Sequence, residues 1–144
     1  MIAYFETSAL LPLIIEEPGS LPAARLWDAA QYVVSVRLVY AEARAALAQA
    51  ARLGGLPPKR LPGAVSTLDG LYTQLDLVDA DDRLVRRAGD LAERHSLRGY
   101  DAIHLAGAER LGEETAVLVA GDRQLCAAAY ELGLAVADTS TGDG

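Results

Sequence analysis

The stretch TAVLVAGDRQLCAAAYELGLAV at residues 115–136 contains one complete unit of an alternating α/β chain. Residues 115–119 form a short apolar run that predicts a strand, residues 122–132 have helical spacing, and residues 134–136 predict another strand. Two strands joined through a helix lie parallel in one sheet, because the helix carries the chain back to the starting edge. This stretch therefore predicts an α/β fold built on a parallel sheet.

The rest of the chain continues the same alternation, which indicates one domain. Three more strands are predicted, at residues 2–5, 32–35 and 75–78. Helices are predicted at residues 7–15, 21–30, 36–53, 57–73, 82–95 and 100–111. The domain is expected to span residues 1–138, and the tail at residues 139–144 is expected to be frayed because it shows no packing pattern.

The composition is that of a globular intracellular protein. Of the 144 residues, 51% are hydrophobic and 23% are charged, and the single cysteine, Cys126, excludes an intramolecular disulfide. No stretch has the pattern of a signal peptide or a transmembrane helix, so a cytoplasmic protein without membrane association is expected. The net charge of -7 argues against broad, non-specific wrapping of nucleic acid.

Two acidic residues lie on helix faces that are otherwise apolar. On a helical wheel of the third predicted helix, Glu42 falls between Leu38 and Ala46, on the face expected to meet the core. Near the start of the helix at residues 100–111, Asp101 shares a face with Leu105. An ionised carboxylate on a buried face is unfavourable unless it is paired or binds a cation.

Two more acidic residues follow predicted strands. Glu6 comes directly after the first strand, and Asp122 follows the strand at residues 115–119 after a two-residue turn. Ligands of open parallel sheets bind outside the carboxyl ends of the strands, so the four acids could converge there. Carboxylates that share a pocket need a cation, and oxygen ligands select Mg²⁺ or Mn²⁺. Such a site would activate water to attack a phosphodiester.

Each of these acids also has a simpler explanation. Asp101 and Asp122 could cap their helices, and Glu42 could form a buried ion pair with Arg37 or Arg98. The spacing alone leaves the metal site and these structural roles open.

The polar residues next to the acids are open to two interpretations as well. Thr7 and Ser8 stand at the start of a predicted helix and could serve as its N-caps. His104, one turn from Asp101, could be a core residue or could support the acids.

Four segments of the chain resemble the pattern of the PIN-domain family. They are YFETSALLPLIIEEPGS at residues 4–20, SVRLVYAEARAAL at 35–47, LRGYDAIHLAGA at 97–108 and VLVAGDRQLCAAAYELGL at 117–134. Each segment contains one of the four acids, and together the segments span residues 4–134 in the family's order. The third segment, with Asp, Ala and His-Leu-Ala in sequence, is the most specific.

The resemblance implies a three-layer α/β/α PIN domain, with a central parallel sheet, that cleaves RNA with Mg²⁺ or Mn²⁺ as its cofactor. It also looks like the VapC toxin of a VapBC toxin–antitoxin pair, which implies a VapB-type antitoxin as partner and a homodimer. The catalytic and metal-binding residues of the family map onto Glu6, Glu42, Asp101 and Asp122.

Two further sets of residues complete the expected site. The first is expected to support the metal ligands, with Ser8 orienting a carboxylate or a bound water, and consists of Thr7, Ser8 and His104. The second lies close to the acids in sequence and is a candidate for binding RNA: Arg37, Arg44, Arg98 and Arg123.

The chain departs from the family pattern at two positions. Glu6 stands where the pattern has Asp, and its extra methylene moves the carboxylate by roughly 1.5 Å. Ala120 stands where many relatives carry Thr or Ser, which removes a hydroxyl near the ligands. These departures favour an alternative, a catalytically weakened PIN domain that acts mainly by binding its antitoxin.

Two other α/β classes fit the sequence less well. A phosphotransfer receiver domain needs an Asp at the end of its middle strand and a lysine after a late strand, and neither is found here. A dehalogenase-type phosphatase needs Asp-x-Asp after the first strand, where this chain has Glu6-Thr7-Ser8.

Overall fold

The computed structural model describes residues 1–112, 114 and 116–141 and contains a five-stranded, fully parallel sheet. The strands lie in the order β3-β2-β1-β4-β5, so that β1 is central and Ile2 is in register with both Tyr32 and Ala116. Their bounds are β1 Ile2–Phe5, β2 Tyr32–Val36, β3 Asp76–Val78, β4 Ala116–Ala120 and β5 Ala135–Asp138. The predicted α/β class with a parallel sheet is confirmed. Residue 115, predicted to begin β4, lies outside the described residues.

Seven helices connect these strands within the described residues. They are α1 Thr7–Leu10, α2 Ser20–Ala29, α3 Val39–Leu53, α4 Leu61–Gln74, α5 Asp82–His95, α6 Gly99–Leu111 and α7 Arg123–Glu131. None of the described helices is long and apolar enough to cross a membrane.

Helices α1 and α3 are shorter than the sequence predicted, for reasons that the structure shows. The helix predicted at residues 7–15 ends as α1 at Leu10 and continues as a 3-10 turn through Leu13, because Pro12 cannot donate a backbone hydrogen bond. The helix predicted from residue 36 begins at Val39, because Val36 is still in the sheet, paired with Val78.

The helices cover both faces of the sheet. Alternate residues of a strand point to opposite faces, and Tyr4 and Leu118 pack on one side against α5, α6 and α7. Phe5 and Val119 pack on the other side against α2, and α3 and α4 extend that layer through a second cluster of buried leucines. The result is the expected three-layer α/β/α arrangement.

The predicted frayed tail is wrong at its first residues. Thr139–Thr141 form a 3-10 turn after β5, and Thr139 is buried. Two glycines make room for it: a Cβ at Gly19 would lie 3.1 Å from the Thr139 carbonyl oxygen, and one at Gly121 would lie 3.2 Å from its hydroxyl oxygen. Residues 142–144 lie outside the described part of the chain.

A third close approach joins α6 to the central strand. A Cβ at Gly107 would lie 2.8 Å from the hydroxyl oxygen of Tyr4 and 3.1 Å from its ring. Glycine inside a helix is about 1 kcal/mol less favourable than alanine. The glycine therefore lowers helix propensity in α6 but lets the helix lie directly on the tyrosine.

Candidate active site

Two of the four acids lie where the connections of the sheet change direction. From β1 the chain moves outward through β2 and β3, and then returns to the other side of β1 to form β4 and β5. The carboxyl ends of β1 and β4 therefore border a crevice at the switch point, the usual ligand position in such sheets. Glu6 follows β1 and Asp122 follows β4, so both lie at this crevice.

Glu6 is buried and lies in an environment that disfavours its charge. Only 4% of the residue is exposed, and its carboxylate accepts hydrogen bonds from the backbone N–H of Ser8 (3.0 Å) and from the Ser8 hydroxyl. Burial raises the pKa of Glu6 above its ordinary value, His104 and the Ser8 hydrogen bonds oppose the rise, and the Asp101 carboxylate adds to it. Glu6 and Asp101 are therefore electrostatic neighbours.

Ser8 connects the ends of the two central strands. Its Oγ donates to Glu6 and accepts from the backbone N–H of Gly121 at 2.8 Å. The possibility that Thr7 or Ser8 caps α1 is wrong, because Glu6 itself is the N-cap. Asp122 does cap its helix, since its Oδ1 accepts from the Leu125 N–H at 3.1 Å.

Glu42 lies in the first turn of α3 and is held by a histidine. Its Oε1 is 2.6 Å from Nε2 of His104, and 20% of the Glu42 side chain is exposed. The alternative in which Glu42 pairs with Arg37 or Arg98 is wrong, because those arginines bind Asp79 and Asp101.

The sequence placed Glu42 on the wrong part of its helix. The buried side of α3 is formed by Val39, Ala43 and Leu47, one position further along the wheel than predicted. Glu42 therefore lies at the boundary of the core, where its carboxylate can turn towards the crevice.

His104 is fully buried and uses both ring nitrogens. Its Nδ1 is 3.0 Å from the Tyr4 hydroxyl, and its Nε2 is 3.3 Å from the Thr7 hydroxyl in addition to the contact with Glu42. Sequence reasoning missed Tyr4. The signal was present, because a tyrosine in a short apolar strand needs a partner for its hydroxyl. Burial raises the pKa of Tyr4 well above its ordinary value.

Asp101 lies in the first turn of α6 with 16% of its side chain exposed. The cap alternative for Asp101 is wrong, because Arg98 is the N-cap residue of α6 and makes no side-chain capping bond. The Arg98 guanidinium instead lies 3.3 Å from the Asp101 carboxylate, and 86% of the Arg98 side chain is exposed.

The other candidate arginines lie around the same end of the molecule. Arg37 follows β2 and pairs with Asp79 at 2.6 Å, whereas Arg44 donates to the Tyr40 hydroxyl at 3.0 Å. Arg123 is the first residue of α7. Their assignment to RNA binding stays a prediction.

The four acids share neighbours, which indicates a common crevice. The Asp101 carboxylate adds to the raised pKa of Glu6, and His104 contacts both Glu42 and Thr7, the residue after Glu6. Burial raises the pKa of the Cys126 thiol to about 12, and the carboxylates of Asp138, Asp122 and Glu6 add to the rise. Asp122 and Glu6 thus both lie close enough to influence one buried thiol.

The carboxylates are near one another but are not gathered around one point. Among the residues that the structure describes, no three His, Cys, Asp or Glu side chains are close enough to hold a metal ion together. Each acid is instead held by a protein donor: Ser8 for Glu6, His104 for Glu42, Arg98 for Asp101 and the Leu125 N–H for Asp122. In each of these contacts one oxygen of the carboxylate accepts the hydrogen bond. All four side chains would offer oxygen ligands, which a hard divalent cation prefers. The assignment of these residues as metal ligands stays a prediction.

Comparison with known proteins gives a consistent family. The PIN domain family model matches residues 3–139. The chain is 38% identical over 136 residues to Ribonuclease VapC45 of Mycobacterium tuberculosis, with 94% of each chain covered. Among solved structures, PAE2754 from Pyrobaculum aerophilum superposes with a TM-score of 0.72 at 23% identity, covering 98% of this chain and 85% of the other. A toxin-antitoxin complex from Klebsiella pneumoniae matches with a TM-score of 0.61 at 16% identity, covering 83% and 86%.

Proposed function

The chain belongs to the PIN-domain family, and from that premise we propose that it is a divalent-metal-dependent endoribonuclease, the toxin of a VapC-type toxin–antitoxin pair. The observation that carries the proposal is the buried carboxylate of Glu6 at the switch point, with Asp101 as its electrostatic neighbour. A protein gains little from such an arrangement unless a cation occupies it. The name of the M. tuberculosis relative supports RNA as the substrate.

The residues of the crevice fit a hard cation by their chemistry. Glu6, Glu42, Asp101 and Asp122 would hold Mg²⁺ or Mn²⁺, and no thiol or second histidine is needed. When bound, the ion would activate water and neutralise charge on the phosphodiester. Glu42 and Asp101 keep part of their side chains exposed, so they can be reached from solvent without unfolding the domain.

The chain's own residues have distinct tasks in this reaction. Ser8 holds the Glu6 carboxylate and the loop after β4 together, which fixes the distance between Glu6 and Asp122. Arg37, Arg98 and Arg123 lie at the ends of elements that border the crevice and would bind phosphates of the RNA next to the scissile bond. Water attack leaves a 3′-hydroxyl and a 5′-phosphate on the two products.

Cleavage of a labelled RNA by the purified chain tests this function. We expect cleavage with Mn²⁺, loss of cleavage with a chelator and recovery when Mn²⁺ is returned. Glu42→Gln, purified in parallel, excludes a contaminating nuclease and is expected to lower the rate about 100-fold or more. Cleavage that persists in the chelator or in Glu42→Gln would contradict the proposal.

The proposed partners follow from the same comparison. We expect a VapB-type antitoxin to inhibit the chain by covering the crevice, and the chain to form a homodimer in a cytoplasmic setting. The solved toxin-antitoxin complex with the same fold supports this expectation. Co-expression with the neighbouring antitoxin gene product, followed by size measurement with and without it, tests both.

One observation favours the alternative of a catalytically weakened toxin that acts mainly by binding its antitoxin. The Glu6 carboxylate folds back to cap its own helix through Ser8, so its longer side chain is turned towards α1. Glu6→Asp shortens the side chain and decides between the two functions. A large increase in cleavage by Glu6→Asp supports the weakened form, whereas an unchanged or lower rate supports a fully active enzyme with Glu at this position.

A further inference from the structure

The hydrogen bonds of His104 connect the central strand to helices on both faces of the sheet. Its Nδ1 contacts the hydroxyl of Tyr4 on the central strand, and its Nε2 contacts the carboxylate of Glu42 at the start of α3. The histidine itself is on α6 and is 0% exposed. A residue of the sheet and residues of both helical layers are therefore joined through one ring.

The chemistry of the partners fixes the direction of these hydrogen bonds. An ionised carboxylate only accepts, so Nε2 carries the hydrogen and donates to Glu42. In the neutral ring Nδ1 then has a lone pair, and the Tyr4 hydroxyl donates to it. The order is thus tyrosine to histidine to carboxylate, and it ends at one of the four acids of the crevice.

The ring has little freedom to move. Leu105 and Ala106, next to His104 in α6, are buried. One turn further along α6, Tyr4 packs directly against Gly107. Glu42, in contrast, is a long side chain at a partly exposed position and would otherwise occupy several rotamers. The buried ring of His104 therefore restrains the more flexible side chain of Glu42.

We propose that His104, anchored by Tyr4, is a positioning residue that fixes the Glu42 carboxylate for a bound divalent cation. The inference rests on the proposed function, because it assigns Glu42 to the metal. If His104 had only a packing role, any hydrogen-bond partner would satisfy its ring nitrogens. Here the shortest contact of the ring, 2.6 Å, is to a carboxylate of the crevice. Partners of this kind change metal affinity when they are removed.

Two amide variants that differ by one methylene separate positioning from packing. The amide nitrogen of His104→Gln is as far from Cβ as Nε2 and can still donate to Glu42, whereas that of His104→Asn reaches only the place of Nδ1. We expect His104→Asn to weaken Mn²⁺ binding roughly 10- to 100-fold and His104→Gln to stay close to the parent chain. Binding is measured on the full chain without RNA, from the electron paramagnetic resonance signal of free Mn²⁺.

Three controls accompany this pair. His95→Gln changes the other histidine, which contacts Glu131 on α7, and is expected to leave Mn²⁺ affinity unchanged. Tyr4→Phe removes the anchoring hydroxyl but keeps the ring, and a smaller loss of affinity is expected. If His104→Asn does not fold, Tyr4→Phe tests the positioning role in its place. Circular dichroism establishes that each variant is folded at the temperature of the titration.

The outcomes distinguish this inference from the proposed function. Equal affinities for His104→Asn and His104→Gln, or an unchanged Tyr4→Phe, overturn the positioning role. If the parent chain binds no Mn²⁺, or if Glu42→Gln binds it as well as the parent chain, the proposed function fails and the inference fails with it. If Glu42→Gln weakens binding and His104→Asn does not, only the inference fails.

Discussion

Helices α5 and α6 pack side by side, yet their acidic residues meet opposite surroundings. At the start of α5, Asp81 and Asp82 are exposed and each binds an arginine, Arg110 or Arg86. At the start of α6, Asp101 also contacts an arginine, Arg98, but its side chain is mostly buried and its charge adds to the raised pKa of the desolvated Glu6.

The pKa values of Asp81 and Glu6 move in opposite directions. The Arg110 guanidinium and the Leu84 N–H hold the pKa of Asp81 down at about 2, whereas burial raises that of Glu6. An exposed acid that is paired with an arginine stabilises the fold. An acid that is desolvated beside another acid needs an additional cation, and so it marks a site of chemistry.

The largest expected effect contrasts the acids of the two helices in catalysis. Asp101→Asn is expected to lower RNA cleavage with Mn²⁺ about 100-fold or more, because it removes the negative charge of a residue that we propose as a metal ligand. Asp82→Asn removes the same charge from an exposed position on α5 and is expected to leave the rate unchanged. Initial rates on one labelled RNA measure both effects. Equal rates for the two variants would contradict the proposed difference between the acids of α5 and those of α6.

The second contrast uses a glycine in the middle of each helix. Gly107 faces Tyr4 closely, so Gly107→Ala is expected to lower the free energy of unfolding by about 1–3 kcal/mol through overpacking. A Cβ at Gly89 in α5 would meet nothing within 4 Å, so Gly89→Ala is expected to raise it by about 0.5–1 kcal/mol. Urea unfolding measures both, and shifts of the same sign would contradict the packing of α6 on β1.

A smaller effect concerns the arginine at the start of α6. Arg98 is a positive charge in contact with Asp101, and its side chain is largely exposed. Arg98→Ala is expected to strengthen Mn²⁺ binding about two- to fivefold, as expected for the loss of an exposed ion pair. The same variant is expected to bind RNA more weakly if Arg98 contacts phosphate. Unchanged values in both titrations would exclude Arg98 from the site.

The smallest effect is the pH dependence of stability in the metal-free protein. The pKa of Asp81 is lowered, so its contribution is present above its ordinary value and is lost as the pH falls towards about 2. The pKa of Glu6 is raised, so its contribution is present below its ordinary value and is lost as the pH rises through the raised one.

Urea unfolding across acidic pH measures both slopes against Asp81→Asn and Glu6→Gln. The stability advantage of the parent chain over Asp81→Asn should shrink as the pH falls. Its advantage over Glu6→Gln should shrink as the pH rises. Slopes of the same sign would show that the two acids do not differ in the way that the structure indicates.

The strands and helices were predictable because they depend on local periodicity. Each of the five strands was placed within two residues of its observed ends among the described residues, and Gly54 marked the end of α3. The errors have tertiary causes. Val36 joined the sheet instead of α3 because β3 offered it a partner, and Thr139 is buried because two glycines far away in sequence make room for it.

The site was less predictable because its contacts join distant parts of the chain. The four acids were proposed as site residues from their position after predicted strands and on apolar helix faces, and their immediate partners were not predicted. Tyr4 and His104 are 100 residues apart, and Ser8 and Gly121 are 113 residues apart. No local pattern relates such pairs, so only the folded arrangement reveals which donor holds which carboxylate.

The pairing of β1 with β4 has a consequence for how the protein is made. Of the five strands, the first to be synthesised is the middle strand of the sheet, and its neighbour on one side lies more than a hundred residues later in the chain. Such distant pairing is slow to form, and β1 cannot be fully covered before β4 is synthesised. The crevice is thus completed only after β4 is synthesised, so on the function proposed above a polypeptide that lacks β4 would not cleave RNA.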